Sequence, residues 1–166
     1  MLLIPIKNLQ EGTTELKLSF KSDAIYSIID EFSSPINLVC KLTRFGNQID
    51  LKSKVSTKAN LICDYSLENF EEDINLQLNL IFKLNLSKSE KDLFKDEDNI
   101  IFYNNEDNDV DISQKLREEL IMALPMKRIS PKYKEKSFKD LYPELTKEII
   151  AENNPFANLK NLNLNK

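Results

Sequence analysis

Through most of the stretch from Pro35 to Leu86, apolar residues recur at alternate positions, and this rhythm restricts the fold more than any other feature of the chain. Ile36, Leu38, Cys40 and Leu42 alternate with other residues, Arg44-Phe-Gly-Asn-Gln48 carries turn chemistry, and Ile49, Leu51, Val55, Ala59, Leu61 and Cys63 continue on the return. Successive side chains of a strand point to opposite faces, so the pattern predicts an antiparallel hairpin with one buried side. The return segment, Gln48 to Asp64, exceeds an average strand, and a bend or bulge is expected near Ser53 to Lys58. After a second turn over Asp64 to Glu68, Ile74, Leu76, Leu78 and Leu80 alternate with Asn and Gln, followed by Phe82, Leu84 and Leu86. That strand should show an amide-rich face to water.

The stretch before it adds two strands and one helix. Leu2, Ile4 and Ile6 alternate, as do Leu16, Leu18 and Phe20 after the polar break Glu11-Gly-Thr-Thr14, which suggests two strands joined by a turn. Ala24, Ile25, Ile28, Ile29 and Phe32 then fall at helical spacing, with Ser22 or Asp23 as cap, so a short helix is expected over Ser22 to Phe32. A second helix is written locally over Asp111 to Leu124. Ile112, Leu116, Leu120 and Leu124 recur every four residues, Ile121 and Ala123 widen the stripe, and Lys115, Arg117, Glu118 and Glu119 point away. Asp111 stands as N-cap with Gln114 three residues on, and Pro125, lacking an N–H, stops the helix.

An amphipathic helix must pack its stripe, and a half-buried sheet needs a cover. The expected fold class is therefore α+β, a twisted antiparallel β-sheet or partly closed barrel covered by the amphipathic helix. Residues 1–126 are expected to form one domain, β-rich over 1–86, an acidic loop over 87–110 and the helix over 111–124. Residues 127–166 would follow as a basic loop, a short helix and a flexible tail. In that helix Leu141, Leu145, Ile149 and Ile150 share a face, with Pro143 in the first turn, where its missing N–H costs little.

Composition removes several chemistries. With no histidine, two cysteines without metal-type spacing (Cys40 and Cys63) and two glycines, the chain lacks the material of most zinc sites, imidazole bases and phosphate-cradling loops. Glu118 and Glu119 are adjacent on a helix and diverge, so they do not form an acid–base pair. No catalytic residue, metal or cofactor is expected. Met1 to Leu9 holds an early Pro5 and too short an apolar run for a signal or membrane span, which predicts a soluble, cytoplasmic protein with no membrane partner.

Charge is sorted along the chain. Residues 90–111 carry nine acids against Lys91 and Lys95, a local balance of minus seven. This run reads as a solvated connection interrupted by a short strand at Ile100-Ile-Phe-Tyr103, with magnesium binding or RNA mimicry as the functional alternative. Residues 127–139 reverse the sign, with Lys127, Arg128, Lys132, Lys134, Lys136 and Lys139 against Glu135, plus five within a chain of net charge minus four. Pro125 and Pro131 hold this stretch out of helix, and Tyr133 and Phe138 lie among the cations, the pattern of an extended basic loop with stacking surfaces. Lys127, Arg128, Lys132, Tyr133, Lys134, Lys136 and Lys139, with Arg117 nearby, are thus the candidate RNA contacts. Farther on, Phe156, Leu159 and Leu162 form an apolar patch that either docks on the domain or anchors a partner, with Phe156 and Leu159 the candidate contacts.

Three segments carry a family resemblance. Leu116-Arg-Glu-Glu-Leu-Ile-Met-Ala-Leu-Pro-Met-Lys-Arg128, Cys63-Asp-Tyr-Ser-Leu-Glu-Asn-Phe70 and Asn154-Pro-Phe-Ala-Asn-Leu-Lys160 resemble, in order and spacing, the motifs of the YceD family of large ribosomal RNA subunit accumulation proteins. The resemblance implies a non-enzymatic bacterial ribosome-biogenesis factor that supports accumulation of 23S rRNA, with large-subunit rRNA or its precursor particle as partner. Ribosomal or RNA-processing proteins are the second class of partner, and an adaptor without RNA contact is the alternative function. Many relatives carry Cys-x-x-Cys where this chain has Cys63 and Ser66, and one thiolate cannot build a tetrahedral site, so no zinc is expected. Cys63 to Phe70 then reads as a turn with Leu67 and Phe70 buried.

Overall fold

The computed structural model describes residues 1–25, 28–84, 94 and 97–144. The chain divides into two compact units, Met1–Arg128 and Ile129–Lys166. In the first, β1 (Leu3–Pro5), β2 (Gly12–Phe20), β3 (Ile36–Phe45), β4 (Gln48–Ile62), β5 (Asn69–Leu84), β6 (Ile100–Tyr103) and β7 (Asp109–Asp111) precede the helix α1 (Ser113–Met122). Strands β2 to β6 form one open five-stranded sheet in sequence order, and β1 pairs with β7 in a two-stranded antiparallel ribbon.

The alternation of the sequence becomes two faces. Inward go Ile36, Leu38, Cys40 and Leu42 from β3, then Ile49, Leu51, Val55, Ala59 and Leu61 from β4, and Ile74, Leu78, Leu80 and Phe82 from β5. Leu116 and Leu120 of α1 and its N-cap Ile112 are fully buried in the same core, as are Leu2 and Ile4 of the β1 segment. Burying a side chain of this size is worth roughly 1.5–3 kcal/mol, which is why the helix stripe and the ribbon settle on this face. The outward residues of β5, among them Asn75, Gln77 and Asn79, are exposed, as the amide alternation required.

Five expectations are corrected. The sheet is neither wholly antiparallel nor a closed barrel: β6 lies parallel to β5, and β2 and β6 are its edges. A parallel neighbour needs a crossover connection rather than a tight turn. Nor do β1 and β2 form a hairpin, because the backbone of the β1 segment is taken by residues 108–112: Leu3 pairs with Asp111, Ile112 N donates to Leu2 O at 3.0 Å, and Ile6 N donates to Asn108 O at 2.9 Å. Between Ser22 and Phe32 the described residues hold only a 3-10 turn, Ser22–Ala24, and Ile25 is extended at φ −101°, ψ 111°. Single turns follow instead of a helix, with Ile28 N donating to Ile25 O at 3.4 Å and Phe32 N to Ile29 O at 3.1 Å, while Ile25 and Phe32 still reach the core; β-branched Ile25, Ile28 and Ile29 weaken a helix here. Tyr26 and Ser27 of this stretch lie outside the described residues.

The bulge near Ser53 to Lys58 is absent as well. β4 pairs with β5 in unbroken register from Gln48↔Lys83 to Ile62↔Asn69. Ser53 and Thr57 occupy inward positions where apolar residues would continue the rhythm, and each is satisfied: Cys40 Sγ donates to Ser53 Oγ at 3.4 Å, and Thr57 Oγ1 donates to Pro35 O at 3.1 Å. A buried hydroxyl with a partner needs no backbone distortion. The start of α1 differs too, since the N-cap is Ile112 rather than Asp111. Asp111 Oδ1 instead accepts from Ser113 N at 2.8 Å and from Ser113 Oγ at 2.5 Å, and Gln114 donates to Glu118 Oε1 at 3.0 Å rather than back to the cap. Partial burial pushes the Asp111 carboxyl up, but the Ser113 hydroxyl and amide, with the Leu2 amide, more than offset this and leave it below the usual carboxylate value.

In the second unit the described residues hold a 3-10 turn at Pro131–Tyr133 and one helical turn, α2 (Phe138–Leu141). Ser137 N and Oγ donate to Asp140 Oδ2 at 2.9 and 2.7 Å, and Asp140 N donates to Ser137 Oγ at 3.3 Å. The helix expected from Leu141 to Ile150 lies outside the described residues beyond Glu144, as do residues 87–93, 95 and 96 of the acidic loop and the tail with Phe156, Leu159 and Leu162. No helix among the described residues is long and apolar enough to cross a membrane.

Candidate nucleic-acid interface

Of the residues singled out in sequence, Arg117, Lys127 and Arg128 belong to the first unit and Lys132, Tyr133, Lys134, Lys136 and Lys139 to the second. Arg117 sits on α1 beside buried Leu116 and is half-buried. Its neighbour Glu118 is held below the usual carboxylate value by hydrogen bonds from Gln114 and then Lys115, with a smaller contribution from the Arg117 charge.

The exit of α1 is fastened to the turn between β4 and β5. Asp64 N donates to Arg128 O at 2.7 Å, and Arg128 N donates to Asp64 Oδ2 at 2.8 Å, so two segments 64 residues apart are tied by a reciprocal pair. The Arg128 guanidinium lies 3.2 Å from Glu31 Oε1, with both side chains about one-third exposed or less. Arg128 therefore has internal work, while Lys127 beside it stays exposed, its ammonium 5.1 Å from the centre of the Tyr65 ring. A cation over an aromatic face at this range gains about 0.5–1 kcal/mol at an exposed site.

The turn itself is closed by Leu67 N donating to Cys63 O and Cys63 N donating to Glu68 O, both at 2.9 Å. Cys63 is buried and forms no disulfide. Leu67 departs from expectation: it is 78% exposed rather than buried, and Phe70 is half-buried. The turn demands a left-handed residue, and Leu67 supplies it at φ 58°, which turns its side chain to solvent at a steric cost a leucine rarely bears. Met126 is also fully exposed, as is most of Met122. Among the described residues no three metal-binding side chains converge.

In the second unit the basic segment is organised around Tyr133. Ser130 Oγ accepts from Lys132 N at 3.3 Å and opens the turn, and the Lys132 and Lys136 ammonium groups lie 5.4 and 6.0 Å from the Tyr133 ring centre. Lys134, Lys136 and Lys139 are exposed. The side chain of Phe138 lies outside the described set.

Sequence reasoning missed Glu31, Asp64 and Tyr65 as the partners of the Lys127-Arg128 pair. The signal was indirect, since Asp64 and Arg128 each sit in a motif of the family resemblance, yet nothing in linear spacing joins them.

These observations define a class first: an open-sheet α+β protein whose helix exit and hairpin turn are locked together, with Lys127 exposed beside the lock. Within that class the chain belongs to the YceD family. The family profile, Large ribosomal RNA subunit accumulation protein YceD, matches residues 51–163, more than half of the 166 residues, starting within β4 and running past the basic segment. The family name ties the chain to accumulation of large ribosomal subunit RNA. No curated protein and no solved structure matches the chain.

Proposed function

We propose that this protein is a non-enzymatic ribosome-biogenesis factor that supports accumulation of 23S rRNA by binding the rRNA precursor or the pre-large-subunit particle. Family membership carries the reading. It is supported by the cations at Lys127 and from Lys132 to Lys139, which lie exposed with Tyr65 and Tyr133 as ring partners. In this reading Lys127, Lys132, Lys134, Lys136 and Lys139 meet phosphates, Tyr133 offers a stacking face and Arg117 contributes from α1. Arg128 acts from behind by holding Lys127 in place through Asp64 and Glu31.

Sucrose-gradient fractionation of cell lysate at two salt concentrations tests it. Migration with precursor large subunits that is lost as salt rises is expected, because phosphate contacts release counterions. Sedimentation only at the top of the gradient under both conditions contradicts the reading. A second reading, an adaptor that recruits an RNA-processing protein without touching RNA, is favoured by the exposed Leu67 and Met126 near the lock. It predicts gradient migration indifferent to salt and lost on Met126→Ser.

A further inference from the structure

The sheet has a second face, and its charge is not that of an ordinary solvated surface. In register across β2 to β5, Lys17, Val39, Lys54 and Gln77 form one row, and Glu15, Lys41, Lys52 and Asn79 form the next. All are exposed. Four ammonium groups thus stand against one carboxylate, and Lys41 lies directly opposite Lys52. Like charges opposed across a strand pair destabilise a sheet. Among the described residues none of the four lysines makes an ion pair or a side-chain hydrogen bond. Farther along β4 the same face does pair a lysine, since Lys58 Nζ lies 2.9 Å from Glu71 Oε2. The unpaired lysines are therefore a local concentration rather than a property of the whole face.

We propose that this open face is a binding platform for the phosphate backbone of RNA, with Lys17, Lys41, Lys52 and Lys54 as its cationic centre. Adjacent strands lie about 4.8 Å apart and alternate residues about 6.8 Å along a strand, so the four charges share a patch on the order of 10 Å across. That density suits a polyphosphate chain better than the scattered carboxylates of a protein partner. Lys41, Lys52 and Lys54 line one shallow depression with Gln77 and Asn79, and Glu15 is the single carboxylate on its wall. The uncharged amides of Gln77 and Asn79 both donate and accept, which fits ribose hydroxyls beside the phosphates. Phe45, 63% exposed, lies at the β3 end of the same face and offers a ring to an unpaired base. The inference rests on the RNA reading above for the kind of ligand, and adds to the basic segment a surface on the sheet of the first unit.

The test uses the full chain and a fluorescently labelled, structured fragment of large-subunit rRNA, with binding followed by anisotropy across a salt titration. A variant carrying Lys17→Thr, Lys41→Thr, Lys52→Thr and Lys54→Thr is compared with one in which Lys127, Lys132, Lys134, Lys136 and Lys139 become Ser. The sheet variant is expected to bind at least about tenfold more weakly at low salt, with a log–log salt slope reduced by about 3. Should it fail to fold by circular dichroism, Lys52→Thr and Lys54→Thr singly are each expected to reduce the slope by about 0.7–0.9. Wild-type affinity and slope in the sheet variant, with loss confined to the basic-segment variant, overturns the platform and leaves the proposed function standing. Absence of RNA binding by the wild type overturns both. Competition by polyglutamate as effective as that by unlabelled RNA marks a general anion surface and also overturns the platform.

Discussion

The two faces of the five-stranded sheet are made by the same strands yet obey opposite rules. On the covered face even the hydroxyls of Ser53 and Thr57 have partners, and the buried helix stripe completes one continuous core. On the open face Lys41 faces Lys52, and the nearby Lys17 and Lys54 stand without an ion pair among the described residues. Folding accounts for the first arrangement. It does not account for the second, which lowers stability and so points to a role outside the fold.

The largest effect is expected where the covered face is opened. Leu116→Ala removes a fully buried side chain and should cost about 2–5 kcal/mol in denaturant unfolding, while RNA affinity per folded molecule stays as in the wild type. The helix cover is fastened at both ends, and releasing either end should cost less. Asp64→Ala deletes the acceptor of the Arg128 amide, for a loss of about 1–2 kcal/mol and weaker RNA binding through a displaced Lys127, read by thermal melting and anisotropy. At the other end, Asp111→Ala removes the acceptor of the Ser113 amide and hydroxyl and should cost about 1 kcal/mol at neutral pH. Because the folded Asp111 carboxyl lies below its ordinary value, its contribution is complete above about pH 4 and is lost as pH falls through the folded value. The stability gap between wild type and Asp111→Ala should therefore close on the acid side. The smallest effect has the opposite sign. Lys52→Thr relieves the facing lysines and should stabilise by about 0.2–1 kcal/mol while weakening RNA binding. A variant that gains stability and keeps its affinity would remove the distinction between the faces.

The covered face was largely legible in the sequence because burial imprints a period of two on β3, β4 and β5 and of nearly four on α1. What failed were inferences that depend on distant partners. The β1 segment alternates like a hairpin arm, but its pairing with β7 is decided by residues about a hundred positions away. Ser53 and Thr57 look like an interruption until their acceptors and donors are in place. The helical spacing over Ser22 to Phe32 was real as a pattern of apolar residues, yet Ile25 and Phe32 reach the core equally well from a chain of separate turns. For the site, the cations of residues 127–139 were legible as composition, whereas the Asp64–Arg128 lock and the lysine rows require register. Lys52 and Lys54 share a face by alternation alone, but only strand pairing brings Lys17 and Lys41 beside them.

The central claim is that this protein touches large-subunit RNA, and ultraviolet crosslinking in cells followed by mass spectrometry of RNA-adducted peptides tests it most directly. Adducts on β3 and β4 around Lys41, Lys52 and Lys54 and on the Lys127 to Lys139 segment, joined to large-subunit precursor RNA, are the predicted result. Recovery of the protein with precursor particles but with no RNA adduct on either surface would contradict the account.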